Sequence, residues 1–266
     1  MPEQQNSVEV FLADIANVPA DAPTACSDWT AHNIAAHLAA GFEEVYSLIE
    51  DSLANRPSRD TRTFDEREAP YLAMDHDALQ ASLRDRLTTT AKVLAEFRAA
   101  GPDAVFDFNG HSFTAAQMTV HLDSELAIHR WDFMGEDAIS EELLSVPAYT
   151  RHAVFLLNAL PMLAESAPNR ITGTGLRAGT VIVLRTPGQP DVAMEVDTDG
   201  EARYVQGDSE GSLTGQFVVT TDAAHRLLTL WGRHSTRRAV SITGNPAGWA
   251  SVAAALWPDA REWPKP

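Results

Sequence analysis

A single cysteine, Cys26, stands in 266 residues, which excludes an internal disulfide and any CxxC metal or redox site. No apolar run reaches the ~18 residues that a membrane-spanning helix needs. Positive charge is also scarce: 20 Lys and Arg face 37 Asp and Glu, a net charge of −17. Such a charge repels phosphate backbones and anionic lipid, so neither nucleic acid nor a membrane surface is an expected partner. An anionic small substrate would have to be drawn by a local metal or arginine. The opening residues MPEQQNSVEV lack the basic-then-apolar order of a secretion signal, and a cytoplasmic location is expected. The glycines form neither a phosphate loop nor a dinucleotide fingerprint, and no repeat or low-complexity segment is present.

What is present is a globular composition, 44% hydrophobic and 21% charged, in a chain long enough for two domains. The first 165 residues or so read as helical throughout, without paired strands. NSVEVFLADIANV has apolar spacings of three and four and ends before Pro19. Asp28 or Thr30 can cap a second helix, WTAHNIAAHLAAGFEEVYSLIEDSLA. The polar stretch NRPSRDTRTFDEREAP reads as a connection to a third helix, which runs from about Asp77 to Gly101. FNGHS turns the chain into a fourth helix, and VPAYTRHAVFLLNALPMLAES reads as a fifth. GTVIVLRT, DVAMEVDTD, EARYVQG, GQFVVTTD and AVSIT then read as strands, interleaved with the helices AAHRLLTLWGRH and PAGWASVAAALW. The expected architecture is therefore a helical domain over 1–167 followed by a smaller α+β domain over 168–266.

The fourth helix carries HLDSELAIHRWDF, with His121, Glu125, His129 and Asp132 at spacings of four, four and three. At 100° per residue, His129 lies about +40°, His121 about −40° and Asp132 about −20° from Glu125. Met118, Leu122, Ile128 and Phe133 share that direction, so the polar row runs through the apolar face, while Arg130 and Asp123 point the other way. Surface i,i+4 pairs are the competing reading. On a buried face, however, a Glu and a His one turn apart converge as metal ligands, and an ion compensates the desolvated carboxylate. A third ligand is available on the second helix. There His37 lies at the border of the arc Ile34, Leu38, Val45, Leu48 and Ile49, whereas His32 lies on its solvent side. Pairing with Glu44 competes for His37. A two-His, one-carboxylate set suits Zn²⁺ or another divalent ion and leaves positions open.

These segments resemble a known family. CSDWTAHNIAAHL and SELAIHRWDF are similar to the "PGW…AHL" and "E…HRWDL" segments of the mycothiol-dependent maleylpyruvate isomerase family, among the DinB-like metal-binding four-helix bundles. LLTLWGR and SITGNPAGWASVAAAL resemble its C-terminal sterol-carrier-like α+β domain. CSDW replaces the usual CPGW and GNP the usual GDP, both loop changes. The resemblance covers nearly the whole chain. It implies an antiparallel four-helix bundle in which His37, Glu125 and His129 match the metal ligands, with Asp132 a functional residue beside them.

The activity so implied is an isomerase or S-transferase for a small electrophile, with mycothiol as cosubstrate and a divalent metal, most simply Zn²⁺, favouring the nucleophilic thiolate. Asp132 would orient an imidazole or shuttle a proton, with pairing to Arg130 or Arg151 as its alternative. Arg233, just past an apolar helix, could hold a carboxylate across a domain cleft, or cap its helix instead. His121 reads as a residue behind the ligands, Cys26 as packed, and Trp29 and Trp131 as packing anchors. A hydrolase activating water at the same three residues, and a non-catalytic ligand-binding protein with a structural ion, are the competing functions. A monomer or homodimer is expected.

Overall fold

The computed structural model describes residues 2–26, 29–160 and 171–258, with side chains from Ser7 onward. Asp28, the alternative cap of the second helix, lies outside the described residues. So do the end of the expected fifth helix beyond Leu160 and the expected domain boundary at 167/168. The chain forms two compact units, Met1–Ser140 and Glu141–Pro266.

The first unit contains helices α1 (Pro2–Ile15), α2 (Ala31–Leu53), α3 (Phe64–Leu72), α4 (His76–Ala99) and α5 (Ala115–Met134). The four long ones, α1, α2, α4 and α5, pack as a bundle, with α3 laid against α2. Reciprocal capping sets three of the starts. Thr30 and Asn33 cap α2, Thr63 and Glu66 cap α3, and Thr114 and Gln117 cap α5. The expected apolar arc of α2 is buried, from Ile34 through Leu38, Val45 and Leu48 to Ile49. Each such side chain contributes roughly 1.5–3 kcal/mol on leaving water.

Two features correct the purely helical expectation for this region. NRPSRDTRTFDEREAP is not only a connection, because its second half is α3, with Pro70 inside it. And FNGHS is the turn of a β-hairpin, β1 (Val105–Phe108) paired antiparallel with β2 (His111–Thr114). Asn109 and Gly110 both take positive φ, 50° and 77°, as a two-residue hairpin turn requires. The apolar side of the hairpin packs Phe106 on Phe97 of α4 and Phe108 against His121 of α5.

The far side of α5 is not solvated either. Arg130 is 1% exposed. It donates from Nε to Asp14 of α1 at 2.6 Å, from Nη2 to Asp137 at 2.8 Å and from Nη1 to Ser140 at 2.6 Å. A charge removed from water this completely needs such a set of acceptors.

In the second unit, after α6 (Ala138–Leu144) at the junction, α7 (Pro147–Ala159) precedes five strands. These are β3 (Val181–Arg185), β4 (Val192–Val196), β5 (Ala202–Gln206), β6 (Phe217–Thr220) and β7 (Ser241–Gly244), interleaved with α8 (Ala223–Leu230) and α9 (Trp249–Leu256). The sheet order is β5-β4-β3-β6-β7, with β3 and β6 parallel and every other pair antiparallel. The fold is thus a helical bundle plus an α+β unit. Helix α7 falls with the sheet, although its helical pattern suggested the bundle. The reason is local: Asn158 of α7 donates to Tyr204 O at 2.8 Å and accepts from Tyr204 N at 3.0 Å, completing the edge strand β5. Among the described residues no helix is long and apolar enough to cross a membrane.

The Arg130 cluster gives a pH signature. Arg130 holds the Asp137 carboxyl down at about 2, below its ordinary value, so this pairing stabilises the fold above about pH 4 and is lost as pH falls through about 2. Asp137→Asn should therefore be less stable than the parent protein at neutral pH, with the deficit shrinking toward pH 2. Urea midpoints measured across that range check the convergence.

Candidate metal centre

Three side chains from two helices converge in the first unit. His37 of α2 and Glu125 and His129 of α5 offer ligand atoms that all lie within 4.8 Å of one another. His37 Nε2 is 3.8 Å and His129 Nε2 3.5 Å from Glu125 Oε2. Donors bonded at ~2.1 Å to one tetrahedral ion stand ~3.4 Å apart, so these separations are of the size a bound Zn²⁺ imposes. Two imidazole nitrogens and one carboxylate oxygen are also the donor types that such an ion takes.

Each imidazole is held from behind. His129 Nδ1 is 2.8 Å from Asp132 Oδ2, one turn along the same helix. His37 Nδ1 is 2.7 Å from Glu68 Oε1 of α3. With a carboxylate at each Nδ1, a bound ion would leave the proton there and take the Nε2 lone pair. Burial pushes the His129 imidazole down, but the two carboxylates outweigh it and raise the group to about 9. Burial likewise pushes Glu125 up, and the His129 and His37 imidazoles facing its carboxylate more than reverse that, holding it well below the ordinary carboxylate range.

Aromatic rings wall the group. The Trp29 ring centroid lies 5.1 Å from that of His37 and stacks on His129 at 6.2 Å, while Phe64 of α3 stacks on His37 at 5.8 Å. Trp29 therefore packs on the imidazoles themselves. Trp131 is an anchor, donating from Nε1 to Glu136 at 3.0 Å. His121 lies one turn before Glu125, facing Phe108 and Phe113, and burial pushes its imidazole below the ordinary value.

The polar row of α5 and His37 thus come together as their helical phases require, and Asp132 pairs with His129 and not with Arg130. Glu44 does not pair with His37. It is fully buried and accepts from Arg59 Nη1 and Arg62 Nε, each at 2.6 Å, and from the Arg62 backbone N–H at 3.1 Å. That clamp ties the approach to α3 onto α2. Cys26 is half-buried in the loop before α2 and is not among the converging donors. Arg233 lies in the second unit after α8, with Nη1 3.5 Å from Trp231 O. Sequence reasoning missed Glu68 because α3 was unread, yet the Thr63-x-x-Glu66 pattern was a legible start signal.

Fold and donor set together define a helical bundle able to hold a divalent ion between two of its helices. Residues 3–133 match the family model described as "Mycothiol maleylpyruvate isomerase N-terminal domain", so the helical unit is similar to the N-terminal domain of that family. Two solved structures are similar in fold, both at TM-score 0.59 and each covering 90% of this chain and 90% of the other. One is a crystal structure of the mycothiol-dependent maleylpyruvate isomerase, at 13% identity, and the other a histidine-to-alanine mutant of it, at 14%. No curated protein sequence matches the chain.

If the backing carboxylates orient the imidazoles, Glu68→Gln and Asp132→Asn should each weaken zinc affinity about 10–100-fold with the fold retained. Competition against a chromophoric chelator measures this, with circular dichroism reporting the fold.

Proposed function

We propose that the protein is a mycothiol-using isomerase of a small electrophilic substrate, with His37, Glu125 and His129 holding a divalent ion, most simply Zn²⁺. The observation that carries this reading is the convergence of the three donors, each imidazole braced by a carboxylate, in a unit whose sequence matches the family model. A divalent ion at such a site lowers the proton affinity of a thiol and so favours the thiolate near neutral pH.

The chain's residues supply the rest. Asp132 and Glu68 keep the Nδ1 protons in place, so that both Nε2 atoms stay aimed at the centre. Glu125 brings one negative charge, so a divalent ion held there would keep a net positive charge. Trp29 and Phe64 restrict water around the imidazoles. Mycothiol, when bound, would supply a thiolate nucleophile for reversible addition to an activated cis double bond, the chemistry that a cis–trans isomerisation needs. Among the described residues the group has three protein donors, whereas structural zinc sites have four, which favours a site open to a ligand over a closed one.

Replacement of zinc by cobalt provides the test. The cobalt protein should show d–d bands that shift when mycothiol is added, because a soft thiolate displaces water from a borderline-soft ion. His129→Ala should abolish both the shift and mycothiol-dependent isomerisation while the fold persists. Turnover of an ester or amide without thiol, or cobalt bands indifferent to every thiol, overturns the reading in favour of a hydrolase or a structural ion respectively.

A further inference from the structure

His32, on the solvent side of the apolar arc of α2, has a histidine of its own to face. It meets His76, the first residue of α4, with the two Nδ1 atoms 3.3 Å apart and the ring centroids at 5.5 Å. Both side chains are half-buried. Their neighbours fix where the protons lie. His32 Nε2 is 3.3 Å from Leu72 O, and a carbonyl only accepts, so the proton of His32 is on Nε2 and its Nδ1 offers a lone pair. His76 Nδ1 therefore donates to it. His76 Nε2 in turn accepts from Gln80 Nε2 at 2.8 Å, and the same amide nitrogen donates to Ile15 O at 3.2 Å. One chain of hydrogen bonds thus joins the ends of α1 and α3 to the starts of α2 and α4, with one proton on each imidazole.

A single proton lies between the two Nδ1 atoms, and a metal ion can take its place. Donors bonded at ~2.1 Å to one tetrahedral ion stand ~3.4 Å apart, and the Nδ1 separation of 3.3 Å already matches. The support that a metal-bound imidazole takes at its other nitrogen is present as well. Leu72 O remains the acceptor for His32 Nε2. For His76 the proton moves from Nδ1 to Nε2, and the Gln80 amide turns over to accept it through Oε1. Ile15 O gives up that amide but keeps its bond from Val18 N at 3.2 Å. No proton is lost in the exchange. The positive ends of two helices oppose a cation here, but Asp75 and Asp77 at the start of α4 offset them, and a net charge of −17 draws cations to the protein.

We propose that His32 and His76 form a second metal site, whose two Nδ1 atoms bind one divalent ion of the zinc class as a clip between α2 and α4. The site is separate from His37, Glu125 and His129, where the imidazoles face the carboxylate through Nε2, and it does not depend on the functional reading above. With two protein donors the remaining positions go to water, so the ion exchanges freely and acts as a stabilising clip when zinc is in excess.

Calorimetric titration of the metal-free protein with zinc counts the sites. His32→Gln and His76→Gln should each bind one equivalent fewer than the parent protein, while His129→Ala keeps this equivalent. Gln80→Glu, which sets a carboxylate behind His76 Nε2, should tighten the same equivalent about ten-fold or more, and it carries the test if a histidine variant does not fold. Excess zinc should raise the melting temperature of the parent protein further than that of His76→Gln, because an ion bound only by the folded chain stabilises it. Nitrogen-15 NMR of labelled histidines gives a signature specific to this pair. Before zinc, His76 should carry its proton on Nδ1 and His32 on Nε2. With zinc, both Nδ1 signals should take the shift of a coordinated nitrogen, whereas ligation at His37 and His129 would appear at Nε2. An equal zinc count in the parent protein and both histidine variants, an affinity indifferent to Gln80→Glu, or coordination shifts confined to Nε2 atoms overturns the proposal.

Discussion

From Leu126 to Asp132 helix α5 has no solvent-facing side, so each polar group on that turn and a half must find its partner inside the protein. This constraint organises the bundle. Arg130 reaches across to Asp14 of α1 and forward to Asp137 and Ser140, fixing the helix from one side. Trp131 reaches Glu136. On the other side His129 and Asp132 pair with each other, and the Asp132 carbonyl accepts from Ala25 N at 2.6 Å, drawing in the loop before α2. That loop ends at Trp29, which covers both imidazoles. The donor group is thus the part of a buried polar face that is completed from α2 and not from within α5.

What the sequence disclosed follows from which interactions are local. Periodicity over twenty residues is a strong signal, so α2, α4 and α5 and the phase of the row through Glu125 could be read directly. The five strands of the second unit stand where apolar runs meet Gly, Pro and Asp turns. The hairpin at 105–114 escaped because its strands are four residues each, too short for a periodic signal, although Asn109-Gly110 marked the turn. Helix α3 escaped because Arg, Asp and Pro hide its pattern and it is held by tertiary contacts: the Glu44 clamp behind it and His37 in front.

The same division explains the site. His37, Glu125, His129 and Asp132 were legible because each lies on a long helix whose buried side can be computed. Glu68 was not, because its place depends on how α3 docks. No local rule distinguishes a glutamate that will meet an imidazole from its neighbour Glu66, which merely closes a capping box. Helix α7 shows the converse. Its pattern was read correctly as a helix and its allegiance was not, since Asn158 binds it to β5, a long-range contact that helical periodicity cannot report.

The two carboxylate–imidazole pairs are chemically alike but differ in how the chain reaches them. His129 and Asp132 are three residues apart and meet as soon as α5 has wound. His37 and Glu68 are 31 residues apart, and their meeting closes a loop whose entropy must be overcome first. Of the two halves of the donor set, the one on α2 therefore carries the larger entropic cost, and its imidazole keeps its orientation only while α3 stays settled on α2.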